Sequence, residues 1–218
     1  MKTNIKSLNG ITIVIFVANI FLFSSLHAQK AEGIYLSAND FKNDKLSYSK
    51  SENEKCKIKI HSLYYKAHIK ITCNNSVFEF SKDSVYGYKI DEEAHRFFNR
   101  VDYPIINQGE NILLYKITVI KKSKYEEDTQ NYYFSRDAAS PALPLTNFNL
   151  ENVFKDNKIF QKYLELYFKS GAELTQYDSN HKMHRINHLL DLSNNQYNND
   201  YEKTISDLGS RKLTCYGS

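Results

Sequence analysis

Cys56-Lys57-Ile58-Lys59-Ile60-His61 alternates apolar and polar residues with a period of two, and Ile69-Lys70-Ile71-Thr72-Cys73 repeats the pattern. Such alternation marks half-buried strands. Pairing them as a hairpin, with Ile60 opposite Ile69 and Ile58 opposite Ile71, sets Cys56 opposite Cys73. Two readings of that cysteine pair stand: a disulfide between directly opposed residues, or two small reduced thiols on the apolar face.

From this hairpin the extended pattern runs on to Phe134. Strand candidates are 56–61, 67–73, 77–81, 84–90, 95–99, 103–107, 111–120 and 130–135. Asn74-Asn75-Ser76, Lys82-Asp83, Asp91-Glu92-Glu93 and Gln108-Gly109-Glu110 separate them with turn-forming residues. Ile112 to Ile120 is apolar on both faces for much of its length, as a central strand would be. Gly87, within Val85-Tyr86-Gly87-Tyr88, points to a bulge or a close backbone approach. On a regular strand Tyr86 and Tyr88 share one face, and rings beside a glycine make them the candidate ligand-binding residues.

After Pro141 and Pro144 the period becomes helical. Thr146 can cap a helix carrying Leu150, Val153 and Phe154, and Asp156 or Asn157 can cap a second with Ile159, Phe160, Tyr163, Leu164 and Tyr167. A third spans about His181 to Leu192, burying Met183, Ile186, Leu189 and Leu190. Strands first and helices afterwards predict an α+β domain. Its sheet is mostly antiparallel, or a partly closed barrel, with about eight short strands under C-terminal helices.

The chain opens with the three parts of a secretory signal. Lys2 and Lys6 are basic, Ile11 to Phe23 is apolar apart from Thr12 and Asn19, and Ala28 precedes a cleavage point. A run of 13 residues falls short of the roughly 20 that span a bilayer, so no integral membrane segment is expected after cleavage. Residues 1–28 are thus read as a signal peptide and 29–192 as a single domain, β-rich over 33–140 and helical over 145–192. Residues 193–218 read as a polar, flexible tail. The expected location is periplasmic or extracellular.

Loss of Lys2 and Lys6 leaves 27 Lys+Arg against 25 Asp+Glu, a net charge of +2. The lysines are scattered, and Lys121-Lys122-Ser123-Lys124 runs straight into Glu126-Glu127-Asp128. Nucleic-acid binding, which needs a concentrated basic stripe, is discounted. Seven glycines form no nucleophile elbow, dinucleotide fingerprint or phosphate loop. His181, His184 and His188 would share one face of the third helix. His184 and His188 have the i, i+4 spacing of a metal chelate, but Arg185 stands where a metalloprotease carries its glutamate. That face lies opposite Met183, Ile186 and Leu190, toward solvent. No cofactor is called for.

Three segments also carry a likeness: Gly33-Ile34-Tyr35-Leu36-Ser37 with Asp40-Phe41; Lys82-Asp83-Ser84-Val85-Tyr86-Gly87-Tyr88; and Tyr132-Tyr133-Phe134-Ser135 running to Pro144-Leu145-Thr146. Together, over about residues 33 to 190, they resemble an uncharacterised family of exported bacterial proteins with a KDS-x-YGY-like turn and a helical C-terminal third. The resemblance implies an envelope-associated or secreted protein and supplies no catalytic residues. The resulting expectation is a non-enzymatic module that binds another envelope protein or a small ligand. Its alternative is a secreted hydrolase whose acids and histidines meet only in three dimensions.

Overall fold

The computed structural model describes residues 32–49, 56–60, 67–121 and 127–196; the signal-peptide reading of 1–28 and most of the tail lie outside them. In chain order the first half comprises β1 (Gly33–Tyr35), α1 (Ala38–Lys42), β2 (Cys56–Lys59), β3 (His68–Cys73), β4 (Ser76–Ser81), β5 (Gly87–Ile90), β6 (Glu93–Phe98) and β7 (Val101–Pro104). The second half comprises β8 (Leu113–Val119), β9 (Thr129–Ser135), β10 (Leu143–Pro144), α2 (Asn147–Val153) and α3 (Lys158–Tyr167). A 3-10 turn at Gly171–Thr175, β11 (Tyr177–Asp178), β12 (Met183–His184) and a last helix α4 (185–196) complete it.

The strands form open antiparallel sheets ordered β1-β5-β6-β7, β10-β9-β8 and β2-β3-β4, with a small β11-β12 hairpin. A bridge from Ile105 to Tyr115, and a hydrogen bond from Ile106 N to Leu114 O, link β7 to β8. The fold is α+β, and no barrel closes.

Three hairpins share one device. Cys73 pairs with Ser76, Ile90 with Glu93 and Phe98 with Val101, so each loop has two residues. Both loop residues carry positive φ in every case: Asn74 and Asn75, Asp91 and Glu92, Asn99 and Arg100. This is the backbone of the tight turns whose twist matches that of the flanking strands. Asn and Asp enter the left-handed region most readily, so most of these positions carry the residues the turn requires. Gly87 is needed for space: a Cβ there would lie 1.9 Å from the His95 carbonyl oxygen.

β8 ends its own sheet but is bridged to β7, and residues 112–115 are buried on both faces as their apolar pattern predicts, whereas Val119 and Ile120 are exposed. Ile112 and Leu114 face a helical core with Phe134, Leu150, Phe160, Leu164 and Ile186. Leu113 and Tyr115 face a second core with Tyr35, Phe41 and Tyr86. A third core lies under β2-β3-β4 and joins Ile69 and Ile71 to Ile34, Val85, Tyr88 and Phe97. Cys56 pairs with Cys73 and Ile58 with Ile71, and the two sulfurs are joined in a disulfide.

Thr146 Oγ1 accepts from Asn149 N to cap α2, and Asn157 Oδ1 accepts from Phe160 N to cap α3. Two boundaries differ from expectation. The last helix starts at 185, not 181, because Asp178 Oδ1 accepts from Asn180 N and His181 N and shapes a turn, while Lys182 has a φ of 54°. It also runs beyond Leu192 to 196. There Ser193 is fully buried, donating to Leu190 O and accepting from Asn157 Nδ2, so residues 193–196 are not tail.

Candidate functional site

β9 ends at Ser135, and the turn that follows, from Arg136 and Asp137 onward, is set by one carboxylate. Asp137 Oδ1 accepts from the N–H groups of Ala139 and Ser140, both at 2.8 Å. Burial raises the Asp137 carboxyl, but a hydrogen bond from the Ser140 side chain, together with these two, more than offsets that and holds it below the usual aspartate range. Fixed in this way, the turn walls two clefts, with Asp137 common to both.

The first cleft, of about 420 Å³, lies between this turn and helices α2, α3 and α4. Val153, Phe154 and Leu190 give it an apolar back, while Arg136, Asp137 and Asp156 supply charge at its rim. The Arg136 guanidinium lies over the Phe154 ring, 5.6 Å from its centroid. Asn157 and Asn194 close one side, linked by a hydrogen bond from Asn157 Nδ2 to Asn194 Oδ1.

The second cleft, of about 390 Å³, is floored by Phe41, Leu113 and Ala138 and edged by Asp44, Glu110 and Asp137. Its carboxylates are already engaged. Asp44 accepts from Tyr35 Oη at 2.5 Å and from Lys89 Nζ at 3.1 Å, contacts that hold it ionised below the usual range. Glu110 accepts from His184 N, Asn107 Nδ2 and Asn187 Nδ2, and lies 2.9 Å from His184 Nδ1. Asn187 also closes two bonds with the backbone of Ile112. This network clips α4 to the β7–β8 loop and leaves little free for a ligand.

His184 belongs to that clip, which overturns its place in a helical chelate. It sits on β12, is 8 % exposed and points to Glu110, whereas His188 is on α4 and its ring stacks on His181 at 3.7 Å. Among the described residues no three His, Cys, Asp or Glu side chains are arranged to hold a metal ion.

Tyr86 and Tyr88 are also not brought to one open face. Tyr86 stands just outside β5, where its N–H donates to Tyr35 O, and the regular alternation is broken there. Its ring stacks on Phe41 in the second core, while Tyr88 enters the third core, and both are more than nine-tenths buried.

The structure also assembles a group that no local motif announces. Asp102 accepts from Tyr88 Oη at 2.6 Å and lies 2.9 Å from His95 Nδ1, while the Tyr88 ring stacks on His95 at 4.4 Å. These three residues come from β5, β6 and β7, and only the sheet register joins them.

Comparison with family models, with curated proteins and with solved structures finds no match to this chain. No helix among the described residues is long and apolar enough to cross a membrane.

Proposed function

We propose that the chain is an exported, non-catalytic binding module that takes a small ligand in the cleft between Arg136 and the C-terminal helices. The observation that carries this reading is the cleft itself. Its volume of about 420 Å³ is in the range of small-molecule sites. It combines an apolar back wall with a few polar side chains, the division of labour by which such sites gain affinity and orientation. Export is supported by the basic, then apolar, then small-residue opening of residues 1–28. The Cys56–Cys73 disulfide fits an oxidising compartment as well.

The test is a thermal-shift screen of the purified protein against a library of small polar metabolites, repeated on Asn194→Trp. Asn194 is exposed at the cleft edge, so an indole there fills the space at little cost to the fold. A stabilising ligand lost in the variant supports the reading. A ligand that stabilises both forms equally binds elsewhere and sinks it.

A second reading, a secreted hydrolase, is favoured by the Tyr88–Asp102–His95 group. An aspartate on His95 Nδ1 orients the imidazole and leaves Nε2 for proton transfer. Turnover of ester, amide or glycoside substrates that falls on His95→Gln would establish it.

A further inference from the structure

We propose that the ligand of the first cleft is a zwitterion, a free α-amino acid with an apolar side chain or a short peptide of such residues. The inference rests on the binding reading above and deepens it.

Two opposite charges at the cleft rim are unspent. Arg136 packs on Phe154 but forms no ion pair or side-chain hydrogen bond with the described residues, and the same holds for the Asp156 carboxylate. The two residues therefore stand at one cleft without neutralising each other. An arginine resting on an aromatic ring keeps its N–H fork oriented, the arrangement that recognises a carboxylate in bidentate fashion. Asp156 supplies the matching acceptor for an ammonium group.

The position of α3 adds to this asymmetry. Asp156 directly precedes the Asn157 cap of a ten-residue helix whose N-terminal end borders the cleft. A helix N-terminus favours negative charge, and Asp156 already supplies it there, so the ligand carboxylate is left to Arg136. Val153 and Leu190 then offer an apolar surface of side-chain size.

The same wall argues against a sugar. Saccharides are held by stacking on an open aromatic face, and Phe154 offers none. Arg136 covers one side, the Phe160 ring meets Phe154 edge-on at 5.0 Å, and Phe154 is 6 % exposed. A ligand with one charge engages only one of these two exposed groups, Arg136 or Asp156, and so makes one charge-assisted bond fewer.

Titration calorimetry with three probes separates the parts. L-leucine carries both charges, leucinamide lacks the carboxylate and 4-methylpentanoate lacks the ammonium group. Leucine is expected to bind roughly ten- to a hundredfold more tightly than either truncated probe. Arg136→Gln should bring leucine down to the level of leucinamide, and Asp156→Asn should bring it down to 4-methylpentanoate. Leucyl-leucine, run alongside, tells a single amino acid from a peptide. Both substituted residues are exposed, and an unchanged melting temperature confirms that the variants fold.

Equal affinity for leucine and its truncated forms, or affinity untouched by both substitutions, overturns the inference. If leucine and leucyl-leucine fail to bind while another library compound binds wild type and not Asn194→Trp, the zwitterion falls and the binding module stands. If no compound distinguishes wild type from Asn194→Trp, both fall.

Discussion

The helical flank and the three-stranded flank of this molecule solve the same problem with different means. On the helical side, Phe160, Leu164, Phe168 and Leu174 are at most 1 % exposed and pack with the face of β8 and β9 into the largest apolar cluster. On the other side, β2-β3-β4 contributes Ile69 and Ile71 to a smaller core, and its edge strand β4 leaves Val77 53 % and Phe78 37 % exposed. The thin flank is the one that carries the disulfide. Where apolar burial is ample the elements hold by packing and a few buried hydrogen bonds; where it is scant, a covalent link fixes the register. Stability should therefore respond to different insults on the two flanks, and that separation can be tested.

The largest expected effect is a cavity on the helical flank. Phe160→Ala removes a fully buried ring that packs edge-on against Phe154. It should cost about 3–5 kcal/mol, a substantial share of the stability of a domain of this size. Urea unfolding measures the loss, and the disulfide flank should offer no rescue. Removing the disulfide by Cys56→Ala with Cys73→Ala comes next. The link closes a sequence separation of 17 residues, for which chain entropy predicts about 3 kcal/mol. Hydrogen exchange should then rise in β2, β3 and β4 while the amides of α3 and α4 keep their protection. Uniform loss of protection across both flanks would show that the two do not behave separately.

A smaller effect is expected at the polar clip of the helical flank. Asn187 is 1 % exposed and bonds to Ile112 N, Ile112 O and Glu110. Asn187→Ala strands the Ile112 N–H, while Ile112 O keeps its bond from Asn107 Nδ2, and should cost about 1–3 kcal/mol, with faster exchange at Ile112 as its signature. A loss confined to α4, with Ile112 still protected, would mean that a water takes over the amide's role.

The two flanks also differ in how far their residues announce them. The strands were legible because alternation and two-residue Asn- and Asp-containing turns are local signals, and counting back from a hairpin aligned Cys56 with Cys73. The cap Thr146 was legible for the same reason, and Asn157 as one of two candidates beside Asp156. Elsewhere a regular period misled. Tyr86 and Tyr88 share a face only on an unbroken strand, and Tyr86 instead follows β1. His184 and His188 share a face only if the helix begins at 181, but the Asp178 turn delays it to 185. The cleft had no local signature at all: Arg136, Asp156 and Leu190 lie on separate elements, and only the packing of helices against β9 brings them together. Glu110, Asn187 and the Tyr88–Asp102–His95 group were invisible for that reason too.

The smallest effect is the pH response of the clip. Burial pushes the Glu110 carboxyl up, but bonds from His184 and Asn107 outweigh it, so its folded value lies below the ordinary 4.5. A group with a depressed folded value binds protons more readily in the unfolded chain. It therefore contributes stability that is complete above about pH 4.5 and is lost as pH falls through the lower, folded value. Glu110→Gln removes this contribution while keeping one oxygen acceptor. The difference in stability between wild type and the variant should shrink as the solution is acidified below about pH 4.5. His95 and Asp102, which form no bond with Glu110 or His184 among the described residues, provide the control, since His95→Gln should leave that difference and its acid decline unchanged. If the wild-type and Glu110→Gln curves stay parallel down to pH 3, ionisation of Glu110 contributes nothing to the clip, and the helical flank is held by packing and its neutral hydrogen bonds.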